Sequence, residues 1–149
     1  MDDSWKEVFA EWQGDLSFQG QNGSGGRVQM GSLGEDPGIS PMELILVGLA
    51  GCTGIDVIST LRKQRQPLEN LKIRVRGKRA ESYPRVYTEI EITYLLWGKG
   101  LKQKAIERAI HLSEEKYCSV SAMMQATARI STSYQIITSD EHKELLVQK

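Results

Sequence analysis

The 149-residue sequence predicts a single α+β domain, 1–149, in which strands surround one buried helix. Three observations support this fold class. Residues 1–39 alternate apolar and other side chains as strands do. A long apolar stretch then opens with a helix-start signal at residue 40. From residue 67 to 138 the pattern changes to two strands, two helices and a last strand, and no repeat or linker divides the chain.

Residues 1–39 are predicted to form a β-meander followed by a loop. Alternation predicts a strand from Val8 to Trp12, and it resumes at Leu16 after a turn at Gly14-Asp15. The glycine-rich run from Gln21 to Gly26 precedes a strand and not a helix. We therefore interpret it as a hairpin loop and not as a phosphate-binding loop.

Residues 40–66 are predicted to form the central helix. Ser40 and Glu43 have the spacing of a capping box, in which each side chain bonds to the other residue's amide. Pro41 then stands at the first helical position, where its missing N–H has no consequence. Beyond the cap, Asp56 is the only charged residue before position 62. A helix this apolar is expected to be buried on nearly all sides.

Glycines recur along this helix and predict a close contact. Gly48, Gly51 and Gly54 are spaced every third position and so share roughly one face. Each of them lowers helix stability by about 1 kcal/mol relative to alanine, so we expect the stripe to let another backbone approach. A single sheet covers only one side of the helix. We therefore expect an obligate homodimer in which the same helix of a second subunit covers the other side.

Residues 67–138 are predicted to continue as β-β-α-α-β. The first strand, at 71–76, has a basic outer face, and acidic residues on the next strand, at 89–94, can pair with it. Each such pair contributes roughly 0.2–1 kcal/mol. The basic run is therefore interpreted as a neutralised sheet face and not as a nucleic-acid patch.

Two helices and a last strand are expected to follow. The first helix, 101–116, is amphipathic, with one apolar face formed by Leu101, Ala105, Ala109 and Leu112. The second, 120–128, is expected to turn three side chains inward, those of Met123, Met124 and Thr127. A strand at 130–136 ends the domain. The charged tail at 139–149 is expected to fray or to add a helical turn.

The charge balance and the hydropathy of the chain argue against nucleic acid and membranes as binding partners. Nineteen basic and nineteen acidic side chains cancel, so no overall field favours nucleic acid or an anionic membrane. The polar N-terminus lacks the order of a signal peptide. The uncharged part of the central helix, Leu44 to Ile55, is too short to span a bilayer. We expect a cytoplasmic protein with neither nucleic acid nor membrane as a partner.

Two cysteines are the candidates for chemistry. They form no Cys-x-x-Cys pair and, with two histidines, do not complete a zinc set, so no metal and no cofactor are expected. In a reducing compartment such a pair more often consists of small buried residues. Cys52, in the middle of an apolar helix, is expected to be inert unless a cation lies nearby. The candidate cations are Arg27 and Arg85.

The position of Cys118 in the sequence favours a reactive thiol more than the position of Cys52 does. If the second short helix begins at Ser119 or Val120, Cys118 stands at its N-cap or just before it. The free amides there favour a thiolate and lower the pKa of the thiol. Alternatively, Ser119 caps the helix and Cys118 merely packs beneath Tyr117.

Together these segments resemble the OsmC/Ohr family of thiol peroxidases, and most closely its YhfA-like branch. The resemblance covers nearly the whole chain and rests on Ser40-Pro-Met-Glu-Leu, on Ala50-Gly-Cys52 and on Lys116-Tyr-Cys118-Ser-Val-Ser121. It implies antiparallel sheets around a buried central helix, in an intertwined homodimer with active sites at the subunit interface. It further implies that Cys52 is the peroxidatic cysteine and Cys118 the resolving one. A small apolar hydroperoxide is then the substrate and an external dithiol the reductant.

One position departs from the family pattern. The family's peroxidases place a glutamate directly after the helix-opening proline, where it orients the catalytic arginine. Here that position is Met42, and Glu43 lies one residue later, about 100° around the helix. The capping box already accounts for Glu43, and Arg27 is the candidate for the arginine. Two functions follow: a peroxidase for organic hydroperoxides, or a non-catalytic binding or redox-sensing protein with an apolar interfacial pocket.

Overall fold

The computed structural model describes residues 4–137, which form two three-stranded sheets and three α-helices. The tail predicted at 139–149 lies outside the described residues. In chain order the elements are β1 (Val8–Trp12), β2 (Phe18–Asn22), β3 (Arg27–Met30), α1 (Pro41–Lys63), β4 (Asn70–Arg79), β5 (Tyr87–Trp97), α2 (Gln103–Leu112), a π-helical turn (Ser113–Tyr117), α3 (Ser119–Met124) and β6 (Arg129–Ile137).

The chain divides into two compact units. The N-terminal unit ends at Ile45 and the C-terminal unit begins at Leu46, so the boundary falls inside α1. The sequence-based prediction of one domain stays a prediction.

The N-terminal unit contains the predicted β-meander. β1, β2 and β3 pair antiparallel in sequence order. The first turn uses positive φ angles at Gly14 and Asp15. The second turn is closed by Asn22, whose Oδ1 accepts from the amides of Ser24 at 3.1 Å and Gly26 at 2.7 Å. The glycine-rich run is thus a hairpin loop, as predicted.

The start of α1 confirms the capping box. The amide of Ser40 donates to Glu43 Oε1 at 3.0 Å, and the amide of Glu43 donates to Ser40 Oγ at 3.1 Å. The helix ends at Lys63 and not at residue 66. The chain turns at Arg65, whose φ of 55° is incompatible with a continuing right-handed helix.

Within this single chain α1 is not buried on all sides, and cover of its remaining surface by a second subunit stays a prediction. Val47 is 52% exposed and Ile55 is 67% exposed. The three glycines also do not share one environment: a Cβ added at Gly54 would meet Ile73 at 2.9 Å, whereas a Cβ added at Gly48 or Gly51 would meet none of the described residues within 4 Å outside the immediate helix. The physical reason is that three helical residues turn by about 300°, so glycines at this spacing drift around the helix.

Judged by length and composition alone, α1 is long enough and apolar enough to cross a membrane. This differs from the expectation based on Leu44 to Ile55, because the whole helix has 23 residues. Core helices of soluble proteins meet the same criterion, so the finding is weak evidence for a membrane span. The cytoplasmic location stays a prediction.

The second sheet, in the order β4-β5-β6, belongs to the C-terminal unit. β4 and β5 are antiparallel, and Arg76 Nε lies 3.2 Å from Glu91 Oε2 across them. This ion pair supports a neutralised sheet face. β5 and β6 run parallel, which corrects the expectation of purely antiparallel sheets. The helices between them form the crossover that a parallel pair requires.

The two predicted helices are both shorter in the structure. α2 gives way at Ser113 to the π-helical turn, which the amide of Cys118 closes by donating to the carbonyl of Ser113 at 2.9 Å. Leu101 and Leu112 of the predicted apolar face are only half-buried. Its buried positions are Ala105, Ile106, Ala109 and Ile110.

The inward face predicted for the second helix is wrong. Met123 is 69% exposed, Thr127 is exposed and Met124 is half-buried. Because α3 ends at Met124, Thr127 cannot share a helical face with Met123. The buried residues of this segment are Ser121 and Ala128.

Candidate active site

Cys52 and Cys118 meet in the C-terminal unit. Cys52 is half-buried in the middle of α1, and Cys118 is 4% exposed between the π-helical turn and α3. Their sulfur atoms and a carboxylate oxygen of Asp56 all lie within 4.8 Å of one another. Both thiols are free. The fold therefore brings together the two cysteines that the family resemblance pairs, while their roles stay predictions.

Asp56 is the residue of this cluster that the sequence analysis did not assign to the site. It follows Cys52 by four positions on α1, and residues at that spacing are neighbours on one face of a helix. A carboxylate one turn after a candidate cysteine, in an otherwise uncharged stretch, was the available signal.

A chain of hydrogen bonds leads to this carboxylate. Ser113 Oγ donates to Asp56 Oδ2 at 2.9 Å. Ser113 Oγ also lies 2.8 Å from Thr53 Oγ1, which lies 2.6 Å from Tyr94 OH. A hydroxyl has one proton to donate. Because Ser113 uses its proton on Asp56, it accepts from Thr53, and Thr53 in turn accepts from Tyr94.

The burial of these hydroxyls explains why they are linked by hydrogen bonds, and it also determines which atom of each bond is the donor. Thr53, Ser113 and Tyr94 are buried, and buried hydroxyls need hydrogen-bond partners. Burial raises the pKa of Tyr94 to about 12. The phenol therefore keeps its proton at neutral pH and acts as the donor at the far end. The chain thus orients the Asp56 carboxylate beside the two thiols.

Cys118 is the N-cap of α3, as one of the two sequence-based alternatives predicted. Its Sγ accepts a hydrogen bond from the amide of Ser121 at 3.4 Å. The predicted lowering of its pKa is nevertheless wrong. The pKa of Cys118 is raised to about 11, mainly by burial and also by the hydrogen bond and charge of Cys52 and the charge of Asp56, while the Ser121 amide acts in the opposite direction. Desolvation outweighs the cap, so Cys118 is a protonated thiol at neutral pH.

Glu43 acts as a helix cap in the N-terminal unit. Its hydrogen bonds with the Ser40 amide and hydroxyl hold the pKa of its carboxyl below the ordinary value. These bonds account for the residue at this position, as the capping interpretation predicts.

The two candidate arginines occupy different units. Arg85 lies in the turn between β4 and β5, where its Nε donates to the carbonyl of Ala80 at 3.3 Å. Arg27 is exposed at the start of β3. It lines a cavity of about 550 Å³ in the N-terminal unit, whose apolar lining residues include Val8, Phe9, Val28, Met30 and Leu44.

Comparisons with known proteins identify the family. The family model described as OsmC-like protein matches residues 34–133. Protein YhfA of Escherichia coli K12 is 36% identical over 131 residues, covering 88% of this chain and 98% of YhfA. A hypothetical protein from Aquifex aeolicus VF5 has a crystal structure that is 38% identical, with a TM-score of 0.82, covering 91% of this chain and 98% of that one.

A more distant relative shows the fold alone. The crystal structure of the organic hydroperoxide resistance protein OsmC from Legionella pneumophila is 15% identical, with a TM-score of 0.64. The alignment covers 91% of this chain and 99% of that one. The matched family model and the identity to YhfA lead to one conclusion: this chain belongs to the OsmC-like protein family, in the branch that includes YhfA.

Proposed function

We propose that this chain is a cysteine-based thiol peroxidase that reduces organic hydroperoxides. The observation that supports the proposal best is the adjacency of two free thiols on separate elements, with Cys52 half-buried and Cys118 buried. Structural relatives from Legionella pneumophila and Bacillus subtilis are named organic hydroperoxide resistance proteins. Family membership and the paired thiols together support a redox role.

Cys52 attacks the peroxide in the proposed first step, because it is the more accessible of the two thiols. Its sulfur bonds to one peroxide oxygen, the O–O bond breaks, and Cys52 becomes a sulfenic acid. The leaving alkoxide takes up a proton to become the alcohol. In this proposal Asp56, whose carboxylate oxygen lies within 4.8 Å of the Cys52 sulfur, accepts the thiol proton directly or through one water and returns it to that alkoxide.

Cys118 resolves the sulfenic acid in the second step. Its sulfur attacks the Cys52 sulfur, the S–S bond forms and the S–O bond breaks. The hydroxide leaves as water with the proton that Cys118 carried, which its raised pKa keeps in place until this step. An external dithiol then reduces the disulfide by thiol–disulfide exchange.

The homodimer, the dithiol partner and the cytoplasmic location belong to the same proposal. Apolar side chains left exposed by the single chain support the dimer; they include Val47 and Ile55 on α1 and, in the N-terminal unit, Phe9 and Trp12 on β1. A second subunit that covers them removes their apolar surface from water.

A second function has its own support. The cavity of the N-terminal unit is largely apolar and suits a small apolar ligand. Met42 also stands where the family's peroxidases have the orienting glutamate. In this second function the protein is a non-catalytic binding protein: it binds an apolar or thiol-reactive ligand, and the cysteines act as a redox sensor or take no part.

Timing the loss of reduced thiols distinguishes the two functions. Fully reduced protein receives a slight excess of cumene hydroperoxide, and free thiols are counted at intervals. A peroxidase loses both thiols rapidly in the wild type, loses one in Cys118→Ser and keeps its remaining thiol in Cys52→Ser. Equally slow loss in the wild type and in Cys52→Ser would favour the binding function.

A further inference from the structure

We infer that Cys52, Asp56 and Cys118 form a binding site for Zn²⁺ with one coordination position open. Two sulfur atoms and a carboxylate oxygen, from two separate segments of the C-terminal unit, lie within 4.8 Å of one another. Thiolate and carboxylate are both zinc ligands, whereas Mg²⁺ and Ca²⁺ require oxygen ligands throughout. Sequence counting missed this set because its third donor is an aspartate and its cysteines are far apart in the chain.

The observed spacing suits a tetrahedral ion. Zinc binds sulfur at about 2.3 Å, which places two sulfur ligands of a tetrahedron about 3.8 Å apart. That separation lies inside the observed limit of 4.8 Å. Cys52 and Asp56 are one helical turn apart on α1, so a rigid element holds two of the three ligands at chelating distance.

A neighbouring group already orients the carboxylate. The Ser113 hydroxyl donates to Asp56 Oδ2 and is itself held by Thr53. Metal-binding carboxylates are commonly fixed by such hydrogen bonds, which keep the ligand atoms in place before the ion arrives.

Charge balance also favours a cation at this cluster. Within the described part of the C-terminal unit, no lysine or arginine forms an ion pair with Asp56, which bonds instead to the Ser113 hydroxyl. Zinc binding displaces the thiol protons, and the two resulting thiolates and the carboxylate would repel one another strongly at this spacing without the ion. A divalent cation compensates that charge.

Zinc binding and oxidation of the thiols exclude each other. A hydroperoxide that oxidises two zinc-bound thiolates takes two electrons and two protons and yields an alcohol and water. The two sulfur atoms join as a disulfide, and Zn²⁺ is released. The inference goes beyond the proposed peroxidase and rests on the geometry of the site, so metal binding is measured without any peroxide.

The test is a metal titration of the reduced full-length chain. Co²⁺ serves as the spectroscopic probe, and competition with Zn²⁺ gives the zinc affinity. We expect one metal ion per chain, a thiolate-to-cobalt charge-transfer band and the intense visible bands of tetrahedral cobalt. Ser113→Ala should weaken binding about 10–100-fold, and Cys52→Ser, Cys118→Ser and Asp56→Asn should weaken it further. The exposed Glu115 provides a matched control: Glu115→Gln removes one negative charge and should leave the affinity unchanged.

Two results would overturn the inference. One is a folded Asp56→Asn variant that binds zinc as tightly as the wild type, since the carboxylate is then no ligand. The other needs no variant: one equivalent of Zn²⁺ should shield both wild-type thiols from an alkylating reagent until a chelator is added. Unshielded thiols at saturating zinc would contradict the site.

Discussion

The sulfur atoms of Cys52 and Cys118 lie within 4.8 Å of each other, although one stands in the middle of α1 and the other caps α3. Ser113 links the two segments. Its hydroxyl donates to Asp56 on α1 at 2.9 Å, and its carbonyl accepts from the amide of Cys118 at 2.9 Å. The π-helical turn between Ser113 and Cys118 therefore positions the second thiol against the helix that carries the first.

Mild oxidation should join Cys52 to Cys118. A disulfide has an S–S length of about 2.05 Å, so the two sulfur atoms need to approach by less than about 3 Å. Peptide mapping of peroxide-treated protein under non-reducing conditions should recover the two cysteine peptides as one linked species. A sample treated with a dithiol before mapping is the control. Recovery of Cys118 only in mixed disulfides would refute its resolving role.

Gly51→Leu should prevent dimerisation and, because the dimer is expected to be obligate, should also destabilise the folded chain. Among the described residues, no atom outside the immediate helix lies within 4 Å of a Cβ added at Gly51, so a side chain there begins in space that the expected partner subunit would fill. Overpacking at an interface is unfavourable by typically about 1–3 kcal/mol. In a monomer, by contrast, leucine should stabilise the helix by up to about 1 kcal/mol relative to glycine.

Sedimentation and thermal unfolding of wild type and Gly51→Leu distinguish these outcomes. Gly54→Ala is the matched control, because its added Cβ meets Ile73 at 2.9 Å within the chain. A wild type that stays a well-folded monomer, together with a more stable Gly51→Leu, would exclude the obligate dimer.

One of the two candidate arginines should support the Cys52 thiolate. A nearby cation stabilises a thiolate and polarises the leaving oxygen of the peroxide. Arg27→Ala is expected to slow thiol oxidation, whereas Arg85→Ala, in the turn after β4, should leave the rate unchanged. Stopped-flow oxidation of each variant by cumene hydroperoxide measures the effect. The reverse pattern would assign the role to Arg85, and two unchanged rates would leave the thiolate without an arginine partner.

Glu43 should stabilise the fold only while it is ionised. Hydrogen bonds from the Ser40 amide and hydroxyl lower the pKa of Glu43 in the folded state. The stabilisation is therefore fully present above the unfolded-state pKa and is lost as the pH falls through the lower folded-state value. The free energy of unfolding of the wild type should exceed that of Glu43→Gln at neutral pH, and the difference should shrink in acid. Urea titrations across this range measure it, and a difference that does not change with pH would argue against the charged cap.

Signals within a few residues of one another predicted local structure well. The capping box of Ser40 and Glu43 formed as the spacing indicates, and the glycine-rich run is a hairpin loop. The same kind of reasoning failed at Met123, because a periodic pattern does not reveal that a helix ends after six residues. Burial reversed the expected effect of the cap on the pKa of Cys118, and burial depends on the whole fold.

The candidate site was predicted in part. Both cysteines were identified from their contexts, and their pairing followed from the family resemblance. Asp56 was detectable from its spacing to Cys52. Ser113 and Tyr94 were not, because a hydroxyl becomes part of a hydrogen-bond chain only when the fold brings together residues that are remote in sequence.

Steady-state turnover tests the proposed peroxidase most directly. Wild type and Cys52→Ser are each given excess dihydrolipoamide and either cumene hydroperoxide or hydrogen peroxide, and peroxide consumption is followed. We predict that the wild type consumes many equivalents per chain and acts faster on cumene hydroperoxide, because the apolar interfacial pocket expected in the dimer would favour a bulky apolar substrate by roughly 25 cal/mol per Å² of buried surface. Cys52→Ser should show only the background rate. Equally slow consumption of cumene hydroperoxide by the wild type and by Cys52→Ser would contradict the peroxidase.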